Sequence, residues 1–348
     1  MKIKIENKSI GEKNPCFIIA EAGVNHNGKL SLAKKLIEAA KEAGVDAIKF
    51  QTFKAENLVT KNTKMAKYQK RNTEREENQL EMLKRSELSY KDFIKLKKYC
   101  DKKKIIFLST PHSEDAIDFL EPLTPAYKIG SGDLTNIPFL KKIAKKKKPI
   151  ILSTGMATLN EVKEAVKTIK KAGNNKIILL HCTTCYPCPF KEVNLKAILT
   201  LKKEFNLPVG YSDHTLGIVV PIMAVALGAA IIEKHFTLDK NLPGPDHKAS
   251  LEPQELKEMV KLIRDTEKVL GSNIKKPTKS EEKIKKVVRK SIVARVGIPK
   301  NTKITKDVLI IKRPGTGIKP KYMKKVLGKR TKINIKKEDL IRWKMISR

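Results

Sequence analysis

The sequence is sparing with the residues that build redox and disulfide chemistry. Its 348 residues include five Cys, six His and one Trp, and aromatics make up only 5%. Five cysteines, an odd and scattered set, exclude a disulfide framework. No apolar run is long enough to span a bilayer: the longest candidate, 216–232, is broken by Pro221 and two glycines and ends in charge. The first twenty residues lack the pattern of a secretory signal, because residues 2–6 alternate and carry charge. A soluble, cytoplasmic protein is the expectation. Also missing is a glycine-rich dinucleotide fingerprint, since Glu21-Ala22-Gly23-Val24-Asn25-His26 follows the first apolar run.

Acidic residues are scarce too. Lys and Arg total 74 against 37 Asp and Glu, a formal charge of +37. The excess is uneven, with 26 basic and 5 acidic residues from Lys275 onward. A basic tail of this kind can bind polyanions. Only Tyr322 and Trp343 are aromatic there, which leaves little to stack on bases, and no nucleic-acid motif is present. A lysine-rich solvated surface explains the charge better than nucleic-acid binding does.

What is present is a repeated alternation of short apolar runs and amphipathic stretches. Apolar runs at 16–20, 45–50, 105–108, 126–129, 149–152, 176–180, 207–210 and 229–232 read as eight strands. Helical spacing separates most of them, at 32–43 (Ser31 as the expected N-cap, Gly44 as the stop), 92–102, 137–145, 160–172 and 217–227. Eight such units over about 250 residues match the size of a (β/α)8 TIM barrel. A doubly wound open sheet is the alternative. A helix at 252–270 opens on Pro253 and closes at Gly271. The reading is a barrel over 1–271, a Lys-rich linker at 272–286, and a small β-rich domain over 287–348. A long polar insertion, 54–89, follows the second strand.

In such barrels the chemistry gathers where strands end. Those ends carry Glu21; Lys49 and Gln51; Ser109 and Thr110; Lys128 and Ser131; Ser153 and Thr154; His181, Thr183, Thr184 and Tyr186; Ser212, Asp213 and His214; and Glu233, Lys234 and His235. Three lysines, Lys49, Lys128 and Lys234, converging with hydroxyls on one mouth suit a phosphorylated anion. The glycines of Gly130-Ser131-Gly132 would let backbone N–H groups approach phosphate. A Schiff-base lysine is the competing reading. His214 and His235, ending neighbouring strands, form a candidate divalent metal site with Glu21 or Asp213 as a nearby carboxylate. Imidazole with oxygen ligands fits Mn2+, with Mg2+ or Zn2+ as alternatives. Cys182, Cys185 and Cys188 lack a fourth ligand for a cluster.

The segments IIAEAGVNHNG (18–28), IKFQTF (48–53), FLSTP (107–111), YKIGSGD (127–133), ILSTGM (151–156), LLHCTTCYP (179–187), GYSDHT (210–215), IEKHFT (232–237), GPDHKAS (244–250) and KRPGTG (312–317) together resemble the N-acetylneuraminate (sialic acid) synthase family, including its legionaminate, pseudaminate and spore-coat relatives. The resemblance implies a TIM barrel followed by an antifreeze-like (SAF) domain, in a domain-swapped homodimer. It implies condensation of phosphoenolpyruvate with an N-acetylated amino-hexose to give a nine-carbon 2-keto acid and phosphate. By the same resemblance, His214 and His235 are metal ligands and Glu21 lies near metal-bound water. Thr110, Lys128, Ser131, Ser153, Thr184 and Ser212 contact phosphoenolpyruvate, with Lys49 and Gln51 beside them. Tyr186, Asp246 and Arg313 contact the sugar, Arg313 from the partner chain. Asp133, counted with the catalytic set, stands where the family commonly has Glu, and Thr184 where Asn can occur. Asn72 is the nearest candidate in 54–89 for a sugar-contacting Asn. A Schiff-base aldolase, or a polyanion-binding protein acting through the basic C-terminal domain, remains the alternative.

Overall fold

The computed structural model of the protein describes residues 2–73, 75 and 77–347. The chain divides into two compact units, Met1–Gly271 and Ser272–Arg348. In the first, a hairpin of β1 (Ile3–Ile5) and β2 (Lys8–Ile10) precedes eight parallel strands: β3 (Phe17–Gly23), β4 (Ala47–Thr52), β5 (Ile106–Pro111), β6 (Tyr127–Ile129), β7 (Ile150–Ser153), β8 (Ile177–Cys182), β9 (Val209–Asp213) and β10 (Ile231–His235). They pair in the order β5-β4-β3-β10-β9-β8-β7-β6, and β5 and β6 stand side by side where the sheet closes on itself. This is the (β/α)8 barrel.

Seven of these eight strands run one to three residues further at their C-terminal ends than the apolar runs indicated, while β6 ends at Ile129 as expected. The apolar criterion stops where inward-facing positions turn polar, although the backbone ladder continues. Side chains alternate along each strand. One set faces the barrel interior: Phe17, Ile19, Ala47, Ile106, Leu108, Ala126, Ile151, Ile178, Leu180 and Ile231 form its floor, packed on Ile3, Ile5 and Ile10 of the hairpin. The hairpin is thus a plug over the N-terminal end, each buried isoleucine contributing about 2 kcal/mol of apolar burial. Two residues further along each strand the same inward set becomes Glu21, Lys49, Thr110, Lys128, Ser153, Cys182, Ser212 and Glu233. The opposite set, including Ile18, Ile48, Phe107, Tyr127, Leu152, Leu179, Val209 and Ile232, packs against the helical layer.

That layer includes Leu30–Ala43, which buries Ala33, Leu36, Ile37 and Ala40 and stops at Gly44 in the left-handed region. Its N-cap is Lys29 rather than Ser31, with no side-chain cap, because the chain enters the helix two residues earlier than the apolar spacing implied. Helix Leu159–Lys171 opens on a reciprocal Thr158/Glu161 capping box. The insertion 54–89 is not a bare loop. It folds into the helices Ala55–Leu58, Lys67–Thr73 and Gln79–Ser86.

In the second unit, β11 (Ser291–Ala294) pairs antiparallel with β12 (Leu309–Lys312) over a core that includes Ile292, Ile298, Ile304, Leu309, Ile335 and Ile341. The segment read as a linker carries a helix, Lys279–Val288, and belongs to this unit. No helix among the described residues is long and apolar enough to cross a membrane.

Candidate active site

The mouth of the barrel is a cavity of about 250 Å³. Two lysines and two carboxylates meet on its floor. Lys49 Nζ lies 2.7 Å from Glu21 Oε2 and 3.7 Å from Glu233 Oε1. Lys128 Nζ lies 3.2 Å from the same Glu233 oxygen, which also accepts from Ser212 Oγ at 3.2 Å. Lys49 donates to Thr110 Oγ1 at 3.1 Å, and Gln51 Nε2 donates to Glu21 Oε1 at 3.0 Å. All four charged groups are buried, and burial alone would discharge them. Burial works against the Lys49 ammonium, but Glu21 and Glu233 outweigh it and hold that lysine above its usual value. Burial pushes Lys128 down, and Glu233 restores only part of the loss. The carboxylates divide in the same way. Burial raises Glu21, which Lys49 does not fully offset, whereas Lys128 and Lys49 overcome burial at Glu233 and hold it below the usual range.

Hydroxyls ring this floor. Ser131 Oγ stands 3.1 Å from Cys182 Sγ and accepts from the Gly155 N–H at 3.1 Å. Only glycine fits at 155, because a Cβ there would collide with Ser131, Cys182 and Thr184. Ser153 Oγ is buried with no protein partner. Thr184, Gly130 and Gly132 also line the cavity. The floor therefore holds paired cations, with the Ser153 hydroxyl still free for an anion.

Above it, His214 and His235 face each other with ring centroids 5.6 Å apart. His214 Nδ1 is 2.7 Å from the Thr183 carbonyl, so it carries the proton and leaves Nε2 as a free lone pair. His235 Nδ1 is buried without a partner. Burial pushes His214 down to about 4 and His235 well below its usual value, so both rings are neutral at neutral pH. Neutral imidazoles that each keep a ring nitrogen free fit a divalent metal. Among the described residues no group of three or more His, Cys, Asp or Glu side chains stands ready to hold a metal. The protein would thus supply two imidazoles and leave the remaining positions to water and substrate. The five cysteines are free thiols, with Cys185 exposed and the other four buried.

Tyr186 packs 4.1 Å from His214 and edge-on to His235, and Tyr68 stacks on Tyr186 at 5.1 Å and 27°. With Val24, Met82 and Leu83 they form an apolar wall beside the histidines. Asp246 is buried at the same side, where burial and then the Glu21 charge push it up to about 7.

Six expected strand-end residues lie off the mouth, among them Ser109, Thr154 and Thr183, whose hydroxyls bond the Thr52 hydroxyl, the Leu180 carbonyl and the Glu192 carbonyl. Lys234 sits between inward-facing Glu233 and His235, so strand alternation aims it at the helical layer; its ammonium meets Asp213 Oδ2 at 2.5 Å and the Thr215 carbonyl. Asp213, between Ser212 and His214, faces outward for the same reason and is not the carboxylate beside the histidines. His181 points out as well, its Nε2 2.7 Å from the Val193 carbonyl. Asn72 donates to the Pro245 carbonyl at 2.7 Å and docks the insertion rather than lining the cavity. Asp133 lies just outside the lining, with Oδ2 4.0 Å from His112 Nδ1. Arg313 belongs to the second unit, exposed one residue past β12. Sequence reasoning placed Glu233 among the strand ends but gave it no role, and left His112 and Tyr68 out of the site. Glu233 had a usable signal, because it lies two residues before His235 on one strand and must share its face.

Residues 36–275 match the model of the NeuB family, and residues 289–347 match that of the SAF domain. The chain is 51% identical over 344 residues to an N,N'-diacetyllegionaminic acid synthase of Legionella pneumophila, covering 97% of each chain. It is 53% identical over 329 residues to the protein of that name in Campylobacter jejuni, covering 94% of this chain and 98% of the relative. Among solved structures, the N-acetylneuraminic acid synthetase of Leptospira borgpetersenii in complex with citrate superposes with a TM-score of 0.73 at 39% identity, over 82% of this chain and 95% of that one. A barrel of this construction with a C-terminal SAF domain, matched end to end by such relatives, places the chain in the NeuB family.

Proposed function

We propose that this chain is a sialic-acid-type synthase that condenses phosphoenolpyruvate with an N-acetylated amino-hexose and water, giving a nine-carbon 2-keto acid and phosphate. The observation that carries this reading is the buried Lys49–Glu233–Lys128 floor, ringed by hydroxyls of which Ser153 Oγ has no partner, in the same cavity as two neutral histidines. An anionic enol phosphate suits the floor, and an aldehyde suits the space beside the imidazoles.

Lys49 and Lys128, with Thr110, Ser131, Ser153, Thr184 and Ser212, would hold phosphate and carboxylate so that the enol carbon faces the acceptor. Glu21, fixed by Lys49 and Gln51, is positioned to orient or deprotonate the water that adds to the cationic carbon. The resulting tetrahedral carbon then loses phosphate by carbon–oxygen cleavage. His214 and His235 would hold a divalent metal, Mn2+ in preference to Mg2+, which when bound supplies Lewis-acid polarisation of the acceptor aldehyde. An imine-forming lysine is disfavoured, because Lys49 is locked between two carboxylates and Lys128 on one of them.

The acceptor is the finer point. Both curated relatives above are named for a product with two N-acetyl groups. Phosphoenolpyruvate carries no nitrogen, so an acceptor leading to that product brings both. The apolar wall of Val24, Tyr68, Met82, Leu83 and Tyr186 suits acetamido methyl groups, which favours a diacetamido hexose over N-acetylmannosamine or its 6-phosphate. The family resemblance alone supports a cytoplasmic homodimer in which the partner's Arg313 completes the sugar end. The test is a phosphate-release screen with phosphoenolpyruvate, Mn2+ and a panel of N-acetylated hexoses. Turnover with a diacetamido hexose above all others is expected, and equal turnover across the panel would remove the specificity reading.

A further inference from the structure

His112 has no role in the chemistry above, yet its surroundings are those of a working group. It stands two residues past Thr110, just beyond β5, with its backbone N–H on the Thr52 carbonyl at 3.1 Å. Its ring lies edge-on to Phe53, with centroids 6.2 Å apart at 71°, and it lines the mouth. Nδ1 faces Asp133 Oδ2 at 4.0 Å, and the other oxygen of Asp133 is occupied by the Asn136 amide at 3.2 Å. Nε2 is buried and has no partner. A ring needed only for packing would be cheaper as phenylalanine, since an unpaired buried polar atom costs about 1–3 kcal/mol.

The charges facing this ring come from three elements: Lys49 on β4, Lys128 on β6 and Asp133 after β6, while Phe53 contributes none. Burial, with the two ammoniums, keeps the empty imidazole neutral. A phosphoryl dianion seated on Lys49 and Lys128 would neutralise those ammoniums and add negative charge next to Nε2, which favours the imidazolium.

We propose that His112 is a phosphoryl-binding residue that takes up a proton as the phosphate group enters, donates Nε2–H to a phosphoryl oxygen, and is steadied at Nδ1 by Asp133. The inference rests on the synthase reading only in requiring that a phosphoryl group enter this mouth. It gives Asp133 a positioning role, through His112, in place of direct contact with substrate.

The test uses the full-length protein and inorganic sulfate, a dianion whose charge is constant from about pH 6 to 8. Calorimetric titrations in two buffers of different ionisation heat report affinity and proton uptake together. The wild type should take up a proton on binding, and its affinity should fall as pH rises through neutrality. H112F, which keeps the ring on Phe53, should bind sulfate about tenfold more weakly with no linked proton. H112Q, a neutral donor, should recover part of the affinity without pH dependence, and it carries the test if H112F does not fold. In turnover, both variants should raise KM for phosphoenolpyruvate and leave that for the sugar unchanged. Wild-type sulfate affinity and proton uptake in H112F would overturn the proposal and leave the synthase reading standing. If the wild type binds no sulfate the proposal also falls, and if it has no phosphoenolpyruvate turnover either, the synthase reading falls with it.

Discussion

Replacing Glu233 with Gln should destabilise the protein and yet tighten its grip on an anion. Glu233 Oε1 serves Lys128 at 3.2 Å, Lys49 at 3.7 Å and the Ser212 hydroxyl at 3.2 Å. Gln keeps the volume and can still accept from Ser212, so the change removes one charge and little else. Lys49 retains Glu21 at 2.7 Å, but Lys128 loses its ion-pair partner while remaining buried. Removing one member of a buried pair costs about 3–5 kcal/mol, and the partial cover of Lys49 by Glu21 puts this case near the lower end. At an effective dielectric of about 20, a unit charge some 5 Å from a bound anion is worth about 3 kcal/mol. Its removal should improve inorganic phosphate affinity by tenfold or more, equivalent to about 1.4 kcal/mol. Urea unfolding with and without phosphate reads both effects: E233Q unfolds earlier in plain buffer and recovers more than the wild type when phosphate is added. A variant of wild-type stability whose phosphate response is no larger would refute the picture of Glu233 as the counter-charge of an anion floor.

Further outcomes follow from other side chains at the mouth. H214A and H235A should each abolish metal-dependent turnover while circular dichroism shows an intact barrel; full activity in either would remove that residue as a metal ligand. Asp246, held at about 7 when folded against about 4 when unfolded, is protonated in the native state over a window where the unfolded chain has already lost its proton. Stability should therefore fall by a few kcal/mol between about pH 4 and 7 and level off above, and D246N should flatten that slope in urea titrations. Y68A removes half of the Tyr68–Tyr186 stack, worth about 0.5–1.5 kcal/mol, so KM for the amino sugar should rise about two- to tenfold while KM for phosphoenolpyruvate stays put. Equal rises in both constants would count against a sugar-side wall.

The barrel was legible in the sequence because its floor and its helix-facing positions are apolar, and eight such runs at regular spacing leave few alternatives. The site was legible in outline for the opposite reason, since polar residues interrupt those runs at one end. What escaped was orientation. Glu233, Lys234 and His235 are consecutive, and only the ladder's register decides that the first and third face the mouth while Lys234 pairs with Asp213 behind it. The period of two on β9 and β10 carried that information, but strands marked off by apolar runs ended before it applied. Tyr68 lay beyond such reasoning, and for His112 the period of two from Thr110 gave the face but not the role. Tyr68 reaches the mouth on a helix within a polar insertion, where composition gives no direction, and His112 is defined by an unpaired nitrogen that only coordinates reveal.

The most direct test of the central claim is to run the reaction in 18O-enriched water and analyse the phosphate released. Attack by the enol carbon, addition of water to the carbon left behind and carbon–oxygen cleavage predict phosphate free of label, formed only when phosphoenolpyruvate, metal and acceptor sugar are all present. Labelled phosphate, or phosphate released without the sugar, would contradict it.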